Sequence, residues 1–196
     1  AVSAEASAGS EQIEAKDSGP QAVFAFKTTA DPFVGRLTYL RVMSGVLESD
    51  SRIHNQTRKI EERIGTLHLM RGKEQIPAKR LHAGDLGTIP KLGKTVTGDS
   101  LGDKGHTLRF PAAQFPKTLF AVAVRPRTQA DSAKMGPTLS RLCEEDPTLG
   151  HHNEAATKQT ILEGMGDQHI EIALQRAENK FGTALDTSTP KVPYRE

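Results

Sequence analysis

The sequence predicts two domains, an all-β antiparallel barrel followed by an α+β sandwich in the order β-α-β-β-α-β. Three observations carry this. Residues 22–101 break into short β-branched and aromatic runs between Gly-, Asp- and Lys-rich turns, with no helical period among them. Residues 128–143 and 167–181 each carry an apolar stripe at helical spacing. The apolar runs between and around those two segments are too short for further helices.

In chain order, residues 1–21 are mainly Ala, Ser, Gly and Glu, with one branched apolar residue, Ile13, in the middle. They bury too little to fold alone and predict a linker or disordered leader. The first residue is Ala, so the chain is expected to be a piece of something larger. The barrel is expected over residues 22–104. Phe24, Phe26 and Thr28 alternate with Val23, Ala25 and Lys27. Asp31-Pro32 marks a turn, residues 35–44 a longer strand, and Ser44-Gly45 another turn. Strands at 53–56, 62–70 and 86–92 follow, bounded by turns such as Ala83-Gly84-Asp85. Pro90 has no N–H to give a ladder and belongs at an edge or bulge. Residues 105–116 read as a Gly-, Pro- and Lys-containing connector.

The second domain is expected over residues 117–196, opening with a strand at 119–125. Met135, Leu139 and Leu142 share one face of the first helix, and Thr128 with Asp131 is a variant capping box. Pro137 is expected to kink or shorten this helix, and Glu144-Glu145-Asp146-Pro147 to stop it. Strands at 149–153 and 159–163 lead to Gly164-Met165-Gly166, read as a sharp glycine turn. Ile170, Leu174, Ala177 and Phe181 then recur at i, i+4, i+7 and i+11. Asp167 and Glu171 near the start and Arg176 and Lys180 near the end suit the helix dipole, and Gly182 suits a position past the C-cap. A last strand at 183–187 completes a ferredoxin-like arrangement. His169 falls in the first helical turn, at an exposed corner.

Composition narrows the chemistry. Of 196 residues, 36% are hydrophobic but only 5% aromatic, with no Trp, so the cores must be aliphatic. The single cysteine, Cys143, excludes an internal disulfide and any multi-cysteine zinc site, and reads as a small core or boundary residue. No apolar run approaches the ~20 residues of a membrane span, and no stretch resembles a secretory signal. The net charge of +2 is uneven: −3 over residues 1–21, +5 over 22–104 and 0 over 105–196. The basic middle fits either an anionic partner or an ordinary solvated surface. His151 and His152, adjacent on a strand, point to opposite faces and chelate poorly, so no metal site is expected.

Ordered motifs run through both halves. The first carries Phe26-Lys27, Ala30-Asp31-Pro32-Phe33-Val34-Gly35-Arg36-Leu37-Thr38, Ser44-Gly45-Val46-Leu47, Glu62-Arg63-Ile64-Gly65, Ala83-Gly84-Asp85-Leu86 and Thr97-Gly98-Asp99-Ser100-Leu101. The second carries Ala130-Asp131, Glu144-Glu145-Asp146-Pro147-Thr148, Gln159-Thr160, Gly164-Met165-Gly166, His169-Ile170-Glu171 and the closing Pro190-Lys191-Val192-Pro193-Tyr194-Arg195-Glu196. In order and spacing this resembles bacterial translation elongation factor G, over that family's second and third domains. Asp167-Gln168, Leu149-Gly150-His151-His152-Asn153 and Gly136-Pro137 depart from the family pattern and suggest a divergent paralogue.

The resemblance implies a fragment of a translational GTPase that passes nucleotide-switch movement to the ribosome during translocation. The chain has no G-x-x-x-x-G-K-[ST] phosphate loop, so no catalytic residue and no cofactor is assigned to it; GTP and Mg²⁺ are expected in the intact parent. The family implies Asp31, Pro32, Gly35, Arg36, Thr148, Gly164, Gly166 and His169 as an interface with the parent's own GTPase domain. For Asp31 to Arg36, a turn that merely holds a hairpin is an equal reading. Arg58, Lys59, Arg63, Arg71 and Lys73 are implied contacts to small-subunit ribosomal RNA, with a solvated basic face as the alternative. Pro116, Thr148 and His169 match the region of the fusidic-acid pocket. No carboxylate partner for His169 is indicated by sequence. The expected setting is a cytoplasmic, monomeric protein without a membrane partner. A ribosomal protection or recycling factor uses the same two domains. A free-standing RNA-binding module is a further alternative, disfavoured because its central strands offer only Phe120 for stacking.

Overall fold

A computed structural model describes residues 2–6, 9–31, 34–72 and 74–192. The chain divides into two compact units, Ala1–Ala113 and Gln114–Glu196.

The first unit contains β1 (Val2–Ala6), β2 (Gly9–Ile13), β3 (Ala22–Asp31), β4 (Gly35–Ser44), β5 (Leu47–Glu48), β6 (Arg52–Asn55), β7 (Ile60–Arg63), β8 (Leu67–Arg71), β9 (Glu74–Ala78), β10 (Arg80–Leu81), β11 (Leu86–Pro90), β12 (Ser100–Gly102) and β13 (Leu108–Arg109). Eight of these form one sheet in the order β7-β6-β12-β3-β4-β11-β8-β9. β7 lies at one end and β8 next to the other end, yet only Ile64-Gly65-Thr66 joins them, so the sheet curls round on itself. Inward positions supply one aliphatic cluster that includes Val23, Leu40, Val42, Ile53, Leu67, Ile89 and Leu101. The two-residue period explains the choice: Leu40 and Val42 of β4 are buried while Arg41 between them is exposed.

Two buried carboxylates fix the chain between β11 and β12. Glu62 accepts the N–H groups of Gly93 (2.9 Å) and Lys94 (2.8 Å) and the Thr95 hydroxyl (2.9 Å). Asp99 accepts the Asn55 amide (2.9 Å), the Val96 N–H (3.0 Å) and Arg58 Nε (2.7 Å). Charge-assisted bonds of this kind offset the cost of burying the carboxylates.

Three expectations change here. Residues 1–21 are not an unstructured leader: β1 and β2 form a hairpin, and β1 pairs with β13 inside the expected connector. Ala4 and Ile13 thereby pack with Ala22, Leu108 and Phe110, apolar surface that no local reading of residues 1–21 contains. The single strand expected at 62–70 is two, because the chain turns at Ile64-Gly65-Thr66. β9 was not foreseen; its Pro77 is tolerated because β9 is an edge strand.

The second unit contains β14 (Phe120–Pro126), α1 (Gln129–Glu145), β15 (Gly150–Glu154), β16 (Gln159–Gly164), α2 (Asp167–Phe181) and β17 (Leu185–Ser188). Its sheet is antiparallel in the order β15-β16-β14-β17. Val124, Leu139, Leu142, Leu162, Ile170, Ala173 and Ala177 form its core. This is the ferredoxin-like sandwich. The Thr128 hydroxyl accepts the Asp131 N–H, and Asp131 accepts the Thr128 N–H in return, completing the capping box. Pro137 does not shorten α1, which runs two residues past Cys143. The proline forgoes one backbone bond, but Leu139 and Leu142 beyond it are fully buried and hold the helix. Gly182, in the left-handed region at φ 59°, ends α2 and donates its N–H to Glu178 at 3.0 Å.

Gly164 has a different purpose from the sharp turn expected. Neither Gly164 nor Gly166 lies in the left-handed region, and Gly166 is extended at φ 179°. At Gly164 the requirement is space: a Cβ there would sit 3.0 Å from His169 Nδ1, 3.0 Å from Ile170 Cδ1 and 3.3 Å from Leu149 Cδ2. Among the described residues no helix is long and apolar enough to cross a membrane.

Candidate functional site

The corner where α1 ends and α2 begins holds a connected group of polar side chains. The Asp146 N–H caps α1 by donating to the Leu142 carbonyl at 2.9 Å. Pro147 cannot continue the helix, and Asp146 Oδ1 accepts both the Thr148 N–H (3.0 Å) and the Thr148 hydroxyl (2.5 Å). The Asp146 carbonyl accepts the Leu149 N–H at 3.0 Å, which turns the chain towards β15.

Asp146 Oδ2 lies 3.1 Å from His169 Nε2, and His169 Nδ1 accepts the Met165 N–H at 3.1 Å. A backbone N–H only donates, so Nδ1 carries no proton, and the neutral ring keeps its proton on Nε2, facing the carboxylate. Both side chains are mostly buried, at 21% and 26% exposure for His169 and Asp146. Burial raises the Asp146 carboxyl pKa, but the Thr148 hydroxyl and amide and the His169 ring outweigh it and hold the group below the ordinary carboxylate value. The sequence indicated no carboxylate partner for His169; the structure supplies Asp146. The Asp-Pro-Thr at a helix end signals only the local bonds to Thr148, the pattern of a side chain that bonds the backbone two residues on, and not the bond to His169.

This triad is not built for nucleophilic chemistry. The Thr148 hydroxyl donates to Asp146, not to the imidazole, so the three groups do not form the hydroxyl–imidazole–carboxylate relay that activates a nucleophile. Cys143 Sγ lies 3.5 Å from His151 Nδ1, but burial, with Asp146 and Glu144 adding to it, pushes the thiol pKa up to about 11. His152 reaches instead towards Glu163, at 3.9 Å. The described residues hold no group of three His, Cys, Asp or Glu side chains able to grip a metal.

Thr148, Gly164, Gly166 and His169 therefore meet at one corner. Pro116 is exposed on the segment that enters β14, where the Leu119 N–H donates to the Gly164 carbonyl at 2.9 Å. Asp31, Gly35 and Arg36 belong to the β3–β4 hairpin of the first unit. Asp31 accepts the Val34 N–H at 2.8 Å, Gly35 adopts φ 88°, and Arg36 Nη1 donates to the Gly93 carbonyl at 3.0 Å. These bonds give the hairpin-holding reading a physical basis. Pro32 lies outside the described residues.

Of the basic residues implied as RNA contacts, the described ones fall on two hairpins. Arg58 is committed to Asp99, while Lys59, at a left-handed φ of 57°, and exposed Arg63 complete the β6–β7 hairpin. Arg71 sits on the β8–β9 hairpin, paired with Glu74 at 2.8 Å. Lys73 lies outside the described residues.

A curled β-sheet unit followed by a ferredoxin-like sandwich is the domain pair of a translation elongation factor. Residues 20–104 match the family profile for elongation factor G domain 2, and residues 115–189 match that for elongation factor G domain III. A crystal structure of a protein from Thermus thermophilus is similar at 30% identity and a TM-score of 0.76, over 90% of this chain and 27% of that one. The chain belongs to the elongation factor G family, of which it carries the second and third domains, and it spans about a quarter of the length of that relative. Neither profile is that of a GTPase domain.

Proposed function

We propose that this chain is the coupling module of an elongation-factor-G-like translational GTPase, passing movement of a nucleotide switch to the ribosome during translocation. The observation that carries this reading is the pair of family matches, in family order, over residues 20–104 and 115–189. The GTPase domain, with its GTP and Mg²⁺, belongs to the parent chain and meets this module at the Thr148, Gly164, Gly166 and His169 corner and at the β3–β4 hairpin. The corner suits a mechanical task because its side chains are bonded to one another and leave no activated group. Lys59 and Arg63 on the β6–β7 hairpin contact small-subunit ribosomal RNA through phosphates. The setting is the cytoplasm.

Co-sedimentation with bacterial ribosomes tests this. The isolated chain is expected to bind weakly, to lose binding as salt rises, and to show no GTP turnover. GTP hydrolysis by the chain alone, or no ribosome binding even at low salt, would overturn the reading.

A further inference from the structure

We propose that Asp146 is the positioning residue of the corner: its two carboxylate oxygens jointly set the His169 tautomer and the path of the chain from α1 into β15. The proposal rests on the reading above only in taking the corner for a contact surface.

The argument starts from donors and acceptors. Oδ1 takes the Thr148 N–H and hydroxyl, and Oδ2 takes His169 Nε2–H. Through the ring, the same carboxylate secures the Met165 N–H in the turn between β16 and α2. One side chain therefore ties together the end of α1, the start of β15 and the start of α2. Every group facing it is a donor, so only a side chain that accepts on both oxygens satisfies them all. Both imidazole nitrogens are also spent inside the unit. A partner docking here meets the edge of a fixed ring, and no imidazole nitrogen is left to bond it. Gly164 belongs to the same device, because a Cβ would push on Nδ1.

An asparagine at 146 has the shape of the carboxylate but only one acceptor oxygen. With its oxygen towards Thr148, its amide N–H₂ faces Nε2. The ring must then carry its proton on Nδ1, and the Met165 N–H loses its acceptor. With the oxygen towards His169, the Thr148 N–H faces a donor instead. Asp146→Asn is therefore expected to release one of the two amides. Its hydrogen-exchange protection should fall about tenfold, the worth of one net hydrogen bond. Nitrogen NMR of labelled histidine reports which amide it is: wild type shows a single Nε2–H tautomer, and a change of tautomer accompanies release of Met165. Circular dichroism of the two helices confirms that the variant is folded.

His169→Ala is the second arm. Asp146 still accepts Thr148, so the Thr148 amide stays protected. The assignment is overturned if Asp146→Asn leaves both amides and the tautomer unchanged, or if His169→Ala exposes Thr148, which would make the histidine the organiser. These readouts lie within the chain, so they fail or succeed independently of ribosome binding.

Discussion

Gly164→Ala tests the close approach at the corner. The added methyl would stand 3.0 Å from both His169 Nδ1 and Ile170 Cδ1, about 0.5 Å inside ordinary contact. Ile170 is 3% exposed and packed in the core, so its methyl yields only by leaving its rotamer, at roughly 0.5–1.5 kcal/mol. His169 yields by stretching the 3.1 Å bond from the Met165 N–H beyond useful length, at about 1 kcal/mol. The lower entropy of an unfolded chain with Ala in place of Gly returns about 0.4–1 kcal/mol. The net expectation is a loss of about 0.5–2 kcal/mol. Both helices among the described residues lie in the second unit, so urea unfolding followed by far-ultraviolet circular dichroism reads that unit. With an m-value of about 1 kcal/mol/M, the midpoint should fall by roughly 0.5–2 M. Gly166→Ala is the control: its φ is extended and nothing lies within 4 Å of the new methyl, so it should stay within about 0.5 kcal/mol. Equal midpoints for wild type and Gly164→Ala, or equal losses in both variants, would refute the steric argument.

Glu62→Ala should cost roughly 2–4 kcal/mol, because it strips three donors of a charged acceptor in a buried site, and it should expose the Gly93 and Lys94 amides to hydrogen exchange. Unchanged protection of those two amides would contradict the bracing role given to Glu62. The Asp146 carboxyl has a folded-state pKa below its unfolded value, so its stabilisation is complete above the ordinary carboxylate range and is lost as pH falls through the folded value. The urea midpoint of the second unit should therefore drop more steeply with acidification in wild type than in Asp146→Asn, and parallel pH profiles would count against that linkage.

The two helices were legible because their stripes are local: Leu139 and Leu142, or Ile170 and Ala177, declare one face within a few turns. Strands with a regular inward set, such as β4, were legible for the same reason. The β1–β2 hairpin was not, because its support comes from Leu108 and Phe110, far along the chain. Pro77 and the polar Glu74 and Gln75 masked β9, whose status as an edge strand depends on the whole sheet. At the corner, Thr148, Gly164 and His169 were singled out by family likeness, and the structure adds why they belong together. Asp146 was absorbed into a helix stop, since its bond to His169 spans 23 residues and leaves no local trace. The purpose of Gly164 was hidden likewise: sequence shows that a side chain is missing, while only packing shows which atoms occupy its space.

The lone thiol has a practical consequence. With a pKa near 11, only about one Cys143 in ten thousand is ionised at neutral pH, and its sulfur is partly covered. Cys143 is therefore expected to react slowly with maleimide dyes. One surface cysteine added to each unit would accept a fluorophore pair with Cys143 left in place.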